Sequence, residues 1–263
     1  MRPTGIFSIF LMVGFSPFFN YSTAQPSGRE IIEMVQNRPD GDNRKSLMTM
    51  ILVNHRGATR ERTMLSYSQD YGKDSKSIMF FQAPADVKGT GFLTWEYDDP
   101  ARDDDRWLYL PAMKKVRRIS GSSATKENFM GSDFTYDDMG GRNIEEDLHT
   151  LLREELVDGS DCWVLESIPR DPDDAYSKKI SWIRQDASVP VKVEFYDRMG
   201  SLLKTLTASD IRIEGEFWTT GRLVMINHLR DHKTIITMDE IDYNLELNET
   251  MFTVPALERG TLL

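Results

Sequence analysis

From residue 43 onward the chain is a succession of short apolar segments broken by turn residues. The spacing predicts strands over Ser46–Asn54, Arg62–Ser68, Ser77–Gln82, Gly91–Tyr97, Arg106–Leu110 and Lys115–Ile119. A second run predicts them over His149–Leu156, Cys162–Ile168, Lys178–Arg184, Val191–Tyr196, Leu202–Ile213, Phe217–Asn227 and Lys233–Tyr243. Asp158-Gly159, Arg198-Met199-Gly200 and Glu214-Gly215-Glu216 suit tight hairpins between them. Strands with short gaps and little helix between them imply an antiparallel meander rather than a parallel sheet. Ahead of the strands, Gln25–Asn37 has a helical stripe of Ile31, Ile32, Met34 and Val35. Ser27 and Glu30 form a capping box at its start, and Arg38-Pro39-Asp40-Gly41-Asp42 stops it. Further helical turns are expected at Ala83–Val87 and at Ile144–Leu148, the latter capped by Asn143.

The strand at Leu47-Met48-Thr49-Met50-Ile51-Leu52-Val53 is apolar at odd and even positions alike. A sheet with one wet face alternates cleanly, so both faces here are covered or one lines an apolar hollow. The chain carries 14 methionines; their flexible thioethers suit either core filling or a surface that accepts varied apolar partners.

Residues 1–24 read as an address. Met1-Arg2 precedes an apolar run, Gly5–Phe19, and Ser22-Thr23-Ala24 supplies small residues for cleavage before Gln25. This predicts a secretory signal peptide, the run being shorter than the roughly 20 residues of a membrane span. Residues 25–263 then form one domain, with no internal repeat or low-complexity linker. The formal net charge of −10 becomes −11 without residues 1–24, which carry one base, Arg2, and no acid. Such an acidic chain does not suit nucleic-acid phosphates, and favours brief rather than firm contact with anionic membranes. The single cysteine, Cys162, forms no internal disulfide, and its place beside Trp163 in an apolar strand marks a buried, inert thiol.

Catalytic and cofactor signatures are absent from the sequence. His228-x-x-x-His232 has metal-ligand spacing for a helix, but Leu229-Arg230-Asp231 reads as a hairpin turn. Asp98-Asp99 and Asp103-Asp104-Asp105 lack the glycine and glutamate of a calcium loop. No nucleophile elbow, phosphate loop or dinucleotide fingerprint occurs. The expectation is a protein without cofactor, metal or catalytic residues. The basic run Lys114, Lys115, Arg117 and Arg118 is open to two readings, a docking patch or ion pairs with acids such as Asp133, Asp137 and Asp138.

Trp107-Leu108-Tyr109-Leu110-Pro111, Val116-Arg117-Arg118-Ile119, Phe129-Met130-Gly131-Ser132-Asp133-Phe134 and Tyr136-Asp137-Asp138 together resemble the LolA-like outer-membrane lipoprotein-sorting proteins. The likeness is closer to the branch associated with RND/MMPL-type exporters. It continues through Val193-Glu194-Phe195-Tyr196-Asp197, Gly200, Lys204 and Phe252-Thr253, covering about Ser27 to Leu257. The resemblance implies a mainly β (α+β) fold: an incomplete antiparallel β-barrel with an N-terminal helix and short lid helices over an apolar cavity. It implies a periplasmic carrier that takes up acyl chains of a lipoprotein or lipid and moves them toward the outer membrane, with an inner-membrane RND/MMPL-type transporter as partner. The chain departs from the true lipoprotein carrier in length and in its central segment, so a lipid cargo fits equally well.

Strand parity then gives the expected cavity walls: Met48, Met50, Leu52, Met64, Phe80, Phe92, Trp95, Leu108 and Leu110. A second reading is a periplasmic sensor or regulatory accessory that docks on a membrane protein. Its contacts would be Lys114, Arg117 and Arg118 with Phe129, Asp133 and Tyr136. A lipid hydrolase would need a nucleophile–base pattern that the sequence does not offer.

Overall fold

The computed structural model describes residues 25–260; the signal-peptide reading of residues 1–24 lies outside them. Every predicted strand forms. The first six are β1 Asn43–Val53, β2 Thr59–Tyr71, β3 Asp74–Ala83, β4 Gly91–Glu96, β5 Asp105–Leu110 and β6 Lys115–Ile119. The other seven are β7 Asp147–Val157, β8 Ser160–Pro169, β9 Lys178–Arg184, β10 Val189–Tyr196, β11 Leu202–Glu214, β12 Phe217–Asn227 and β13 His232–Tyr243. They make one 13-stranded sheet in the order β6-β5-β4-β3-β2-β1-β13-β12-β11-β10-β9-β8-β7. This is two antiparallel meanders joined where β1 pairs β13.

Local turn chemistry explains the meanders. At the β7–β8 hairpin Asp158 and Gly159 both have positive φ, 49° and 83°, the backbone that matches the twist of two paired strands. At the far ends β6 and β7 stay unpaired with each other, so the barrel is incomplete. These two edge strands are consecutive in the chain. Residues 120–146, which contain helix α2 (Ser122–Thr125), connect them.

The sheet is strongly curled. Leu108 on β5 and Phe195 on β10 belong to one buried cluster, although eight strand spacings of about 4.8 Å would hold them roughly 40 Å apart in a flat sheet. That cluster defines the inner face. At the β7–β9 end the same face is covered by helix α1, Gly28–Gln36, which is capped by Ser27 and Glu30 as the sequence predicts. Ile31 of α1 packs on Trp163, Leu165 and Ile183. The approach is close because Gly28 has no side chain: a Cβ there would stand 2.6 Å from the His149 carbonyl oxygen.

The outer face of β3–β5 is covered by an element the sequence reading did not foresee, helix α3, Val254–Arg259. It is capped by Thr253 and ends on Gly260 in the left-handed region at φ 69°, an efficient stop signal. Phe252 and Leu257 pack there on Ile78, Phe80 and Leu93, with Trp95, Trp107 and Tyr109 around them. The Trp95 indole donates to the Phe252 carbonyl at 2.9 Å. Gly91 lies beneath α3, where a Cβ would come within 2.5 Å of the Phe80 ring and 2.6 Å of Leu257. Gly91→Ala is therefore expected to lower stability by about 1–3 kcal/mol, the usual cost of overpacking, read as a lower urea midpoint at unchanged slope.

Candidate functional site

The inner face is the candidate site. Cross-strand partners fix its floor: Met48 faces Met64 and Met238, Met64 faces Phe81, Met79 faces Phe92, and Phe92 faces Leu108. Because side chains alternate along a strand, Met50, Leu52 and Leu110 join the same surface, and all contribute to the main cluster. The double apolarity of β1 is thus resolved. Met48, Met50 and Leu52 turn inward, while Leu47, Ile51 and Val53 lie half-buried on the other side.

Of the nine expected cavity residues, Met48, Met50, Leu52, Met64, Phe92, Leu108 and Leu110 stand on this floor. Phe80 and Trp95 do not; both point to the outer face, under α3. The Phe80-Phe81 pair is apolar at both positions, and the register that sets Phe81 opposite Met64 and Phe80 opposite Leu65 gives Phe81 the inward place.

The floor is filled by the chain itself. Residues 120–146 fold over it as a plug. Asn128 and Thr135 form a β-bridge, and the Phe129 amide donates to the Phe134 carbonyl at 2.7 Å. Within this small loop Met130 and Gly131 both have positive φ. Phe129 stacks on Phe81 at 6.1 Å between ring centroids and lies 5.2 Å from Phe92. Tyr136 meets Phe129 edge-on at 5.5 Å, and Phe134 is buried in the same cluster. Two clefts, of about 270 and 490 Å³, lie elsewhere, one at Pro169–Ser177 with Arg198 and one beside α1.

Polar contacts fasten the plug at several points. Arg62 on β2 donates to the Met130 carbonyl at 2.6 Å. The carboxylate of Asp133 accepts from Thr234 at 2.8 Å and meets His232 Nδ1 at 2.7 Å, while its amide donates to Thr234 at 2.9 Å. Tyr176 donates to Asp138 at 2.9 Å, and Lys204 on β11 donates to the Tyr176 hydroxyl at 3.0 Å and stands 3.4 Å from Asp138. Burial, then the neighbouring Asp138 charge, raises the Tyr176 pKa, so this phenol stays a donor. Arg106 on β5 pairs with Asp137 at 3.5 Å and Asp104 at 3.0 Å. At the plug's end Arg142 is bidentate to Asp147 at 2.8 and 2.5 Å. Burial opposes the Arg142 charge, but Asp147, Asp174 and Glu146 outweigh it and raise its pKa.

These contacts revise the docking expectation. Phe129, Asp133 and Tyr136 are 0%, 1% and 6% exposed, so they face the floor and present no surface to a partner. Lys114, Arg117 and Arg118 are exposed. Arg118 pairs with Asp105, and Arg117 with Glu127 at 3.6 Å; the acids proposed as their partners, Asp133, Asp137 and Asp138, are engaged on the inner face instead. Sequence reasoning gave His232 and Lys204 no role at this site. The predicted turn parts the two histidines: His228 meets Thr205 at 2.8 Å, and His232 turns to Asp133. Cys162 is buried on the opposite face from the plug, and burial raises its thiol pKa.

An unclosed, curled antiparallel sheet with one apolar inner face and a helix packed inside it is the LolA-like fold. A LolA superfamily protein from Nitrosomonas europaea superposes on it with a TM-score of 0.69 at 21% identity, covering 88% of this chain and 100% of that one. A DUF1329 family protein from Desulfovibrio piger gives a TM-score of 0.83 at 32% identity, covering 88% and 97%. A domain assigned to outer membrane lipoprotein sorting, from Vibrio parahaemolyticus, gives 0.83 at 36% identity, covering 88% and 98%. The family model that matches residues 73–259 is described as an uncharacterized protein. No curated protein matches. The chain belongs to this DUF1329 family and has the LolA-like fold.

Proposed function

We propose that the protein is a periplasmic carrier that shelters acyl chains of a lipid or lipoprotein on its inner face, after the plug of residues 120–146 swings away. The observation that carries this reading is that the apolar floor is sealed by a connecting segment rather than by the sheet itself. The segment leaves from one free edge and returns to the other, so it can move without breaking a strand pair.

The energetics suit exchange. An acyl chain of ~16 carbons gains roughly 12 kcal/mol on leaving water, at about 0.8 kcal/mol per methylene. It loses a similar amount on leaving a membrane, so a carrier needs a site nearly isoenergetic with both. Phe129, Phe134 and Tyr136 supply an internal competitor of the same order, at about 1.5–3 kcal/mol for each buried side chain. Cargo is thereby accepted without being trapped. The reading includes transfer toward the outer membrane and an inner-membrane transporter of RND/MMPL type as donor; the sorting assignment of the Vibrio parahaemolyticus domain supports the direction.

Asp133 and Thr234 touch through backbone and side chain, which makes Asp133→Cys with Thr234→Cys a suitable lock. Oxidised, the double variant is expected to lose uptake of a fluorescent fatty-acyl probe; reduced, it should bind at least as well as wild type. Equal uptake in both states would show that the plug does not gate the floor. The native thiol, buried on the other face, stays out of the way.

A further inference from the structure

The basic groups on the inner face follow a regular row. Register places His149 opposite Ser167, Ser167 opposite Lys179, Lys179 opposite Phe195, Phe195 opposite Lys204, Lys204 opposite Asn227, and Asn227 opposite His232. The row therefore carries a basic residue on every second strand, β7, β9, β11 and β13, spaced by about 10 Å at two strand separations. It borders the apolar floor: the next inward positions are Val193 on β10, Leu206 on β11 and Met225 on β12, and on β13 Thr234, which Leu52 of β1 faces. Arg62 and Arg106 stand across the floor on β2 and β5.

In the closed state most of these groups are answered by the plug: His232 by Asp133, Lys204 by Asp138, Arg106 by Asp137, and Arg62 by the Met130 carbonyl. Lys179 makes no ion pair among the described residues; its Nζ lies near the rings of Tyr176 and Phe195, at 5.5 and 5.8 Å, and burial lowers its pKa. A floor meant only to hold a plug gains little from such groups, because buried ion pairs are often no better than apolar packing of the same volume. When the plug leaves it takes its acids with it, and the bare floor becomes an apolar surface with basic side chains along one side, Lys204 and His232 among them, and Arg62 and Arg106 across it. Resting on the carrier reading above, we infer that the cargo is an amphiphile with an anionic headgroup, and that the plug carboxylates occupy the headgroup's positions in the closed state.

The test uses delipidated protein and four ligands with the same oleoyl chains: phosphatidylglycerol, oleate, phosphatidylcholine and diacylglycerol. Native mass spectrometry and intrinsic fluorescence read binding. Phosphatidylglycerol, oleate or both should bind at least ten-fold more tightly than the two ligands without net charge, with the preference shrinking as salt rises. Preference for phosphatidylglycerol alone identifies a phosphate, and for oleate alone a carboxylate. Asp133→Asn with Asp138→Asn removes the competing charges and keeps neutral acceptors; it should tighten binding of the anionic ligand several-fold and leave phosphatidylcholine unchanged. Lys204→Met with Asp138→Asn leaves no buried unpaired charge, so it keeps the fold, and it should lose much of the preference. Equal binding of charged and uncharged ligands, or an unaltered preference in the Lys204→Met, Asp138→Asn protein, overturns the inference while the carrier reading stands. Failure to bind any of the four overturns the carrier reading, and the inference with it.

Discussion

Lys204→Met lowers the unfolding free energy by about 3–5 kcal/mol, the usual consequence of removing one partner of a buried ion pair. Lys204 is 4% exposed and reaches Asp138 both directly and through the Tyr176 hydroxyl. Without its ammonium the Asp138 carboxylate remains enclosed with a phenol and the Thr135 amide as its donors, too little to replace solvent for a charge. The cost falls first on the plug, because Asp138 belongs to residues 120–146 while Lys204 belongs to the sheet. Chemical denaturation should show the loss, and adding Asp138→Asn should return most of it, since the charge that needed a partner is then gone. A double variant as unstable as Lys204→Met alone would mean that the lysine acts through packing.

Phe129→Ala has an effect of similar size by a different route. The ring is fully buried among Phe81, Phe92 and Tyr136, and truncating a buried phenylalanine costs about 3–5 kcal/mol. The lost contacts are those between plug and floor, so the destabilisation should be local. Amide exchange should rise across residues 120–146 and stay slow in β1, β12 and β13. Binding of a fluorescent acyl probe should tighten, because its internal competitor is weakened. Uniformly faster exchange throughout the sheet would show instead that the plug is a structural part of the core.

Much of the architecture is legible without coordinates because antiparallel hairpins are local. Turn residues such as Asp158-Gly159 and Glu214-Gly215-Glu216 fix where each strand ends, and alternation fixes which residues share a face. That suffices for thirteen strands, for the capped helix at Ser27, and for seven of the nine expected floor residues. Alternation fails where neighbours are equally apolar. Phe80 and Phe81 are equally apolar neighbours, so only the pairing of Phe81 with Met64 tells which faces inward, and Trp95 reads as a floor residue until α3 is seen on the other side. That helix comes from the end of the chain, and nothing near β4 announces it.

The sequence by itself determined the meander, the apolar surface and the acidic, cysteine-poor character of the chain, because each depends on residues close together or on composition. Only the tertiary structure decided that the surface is occupied and by what. Asp133 meets His232 across 99 residues, and Asp138 meets Lys204 across 66. In the sequence Phe129, Asp133 and Tyr136 look like an exposed loop; folded, they are the stopper of the molecule. A contact between distant residues leaves no periodic trace in either segment, since its energy comes from a place that exists only once the sheet has curled.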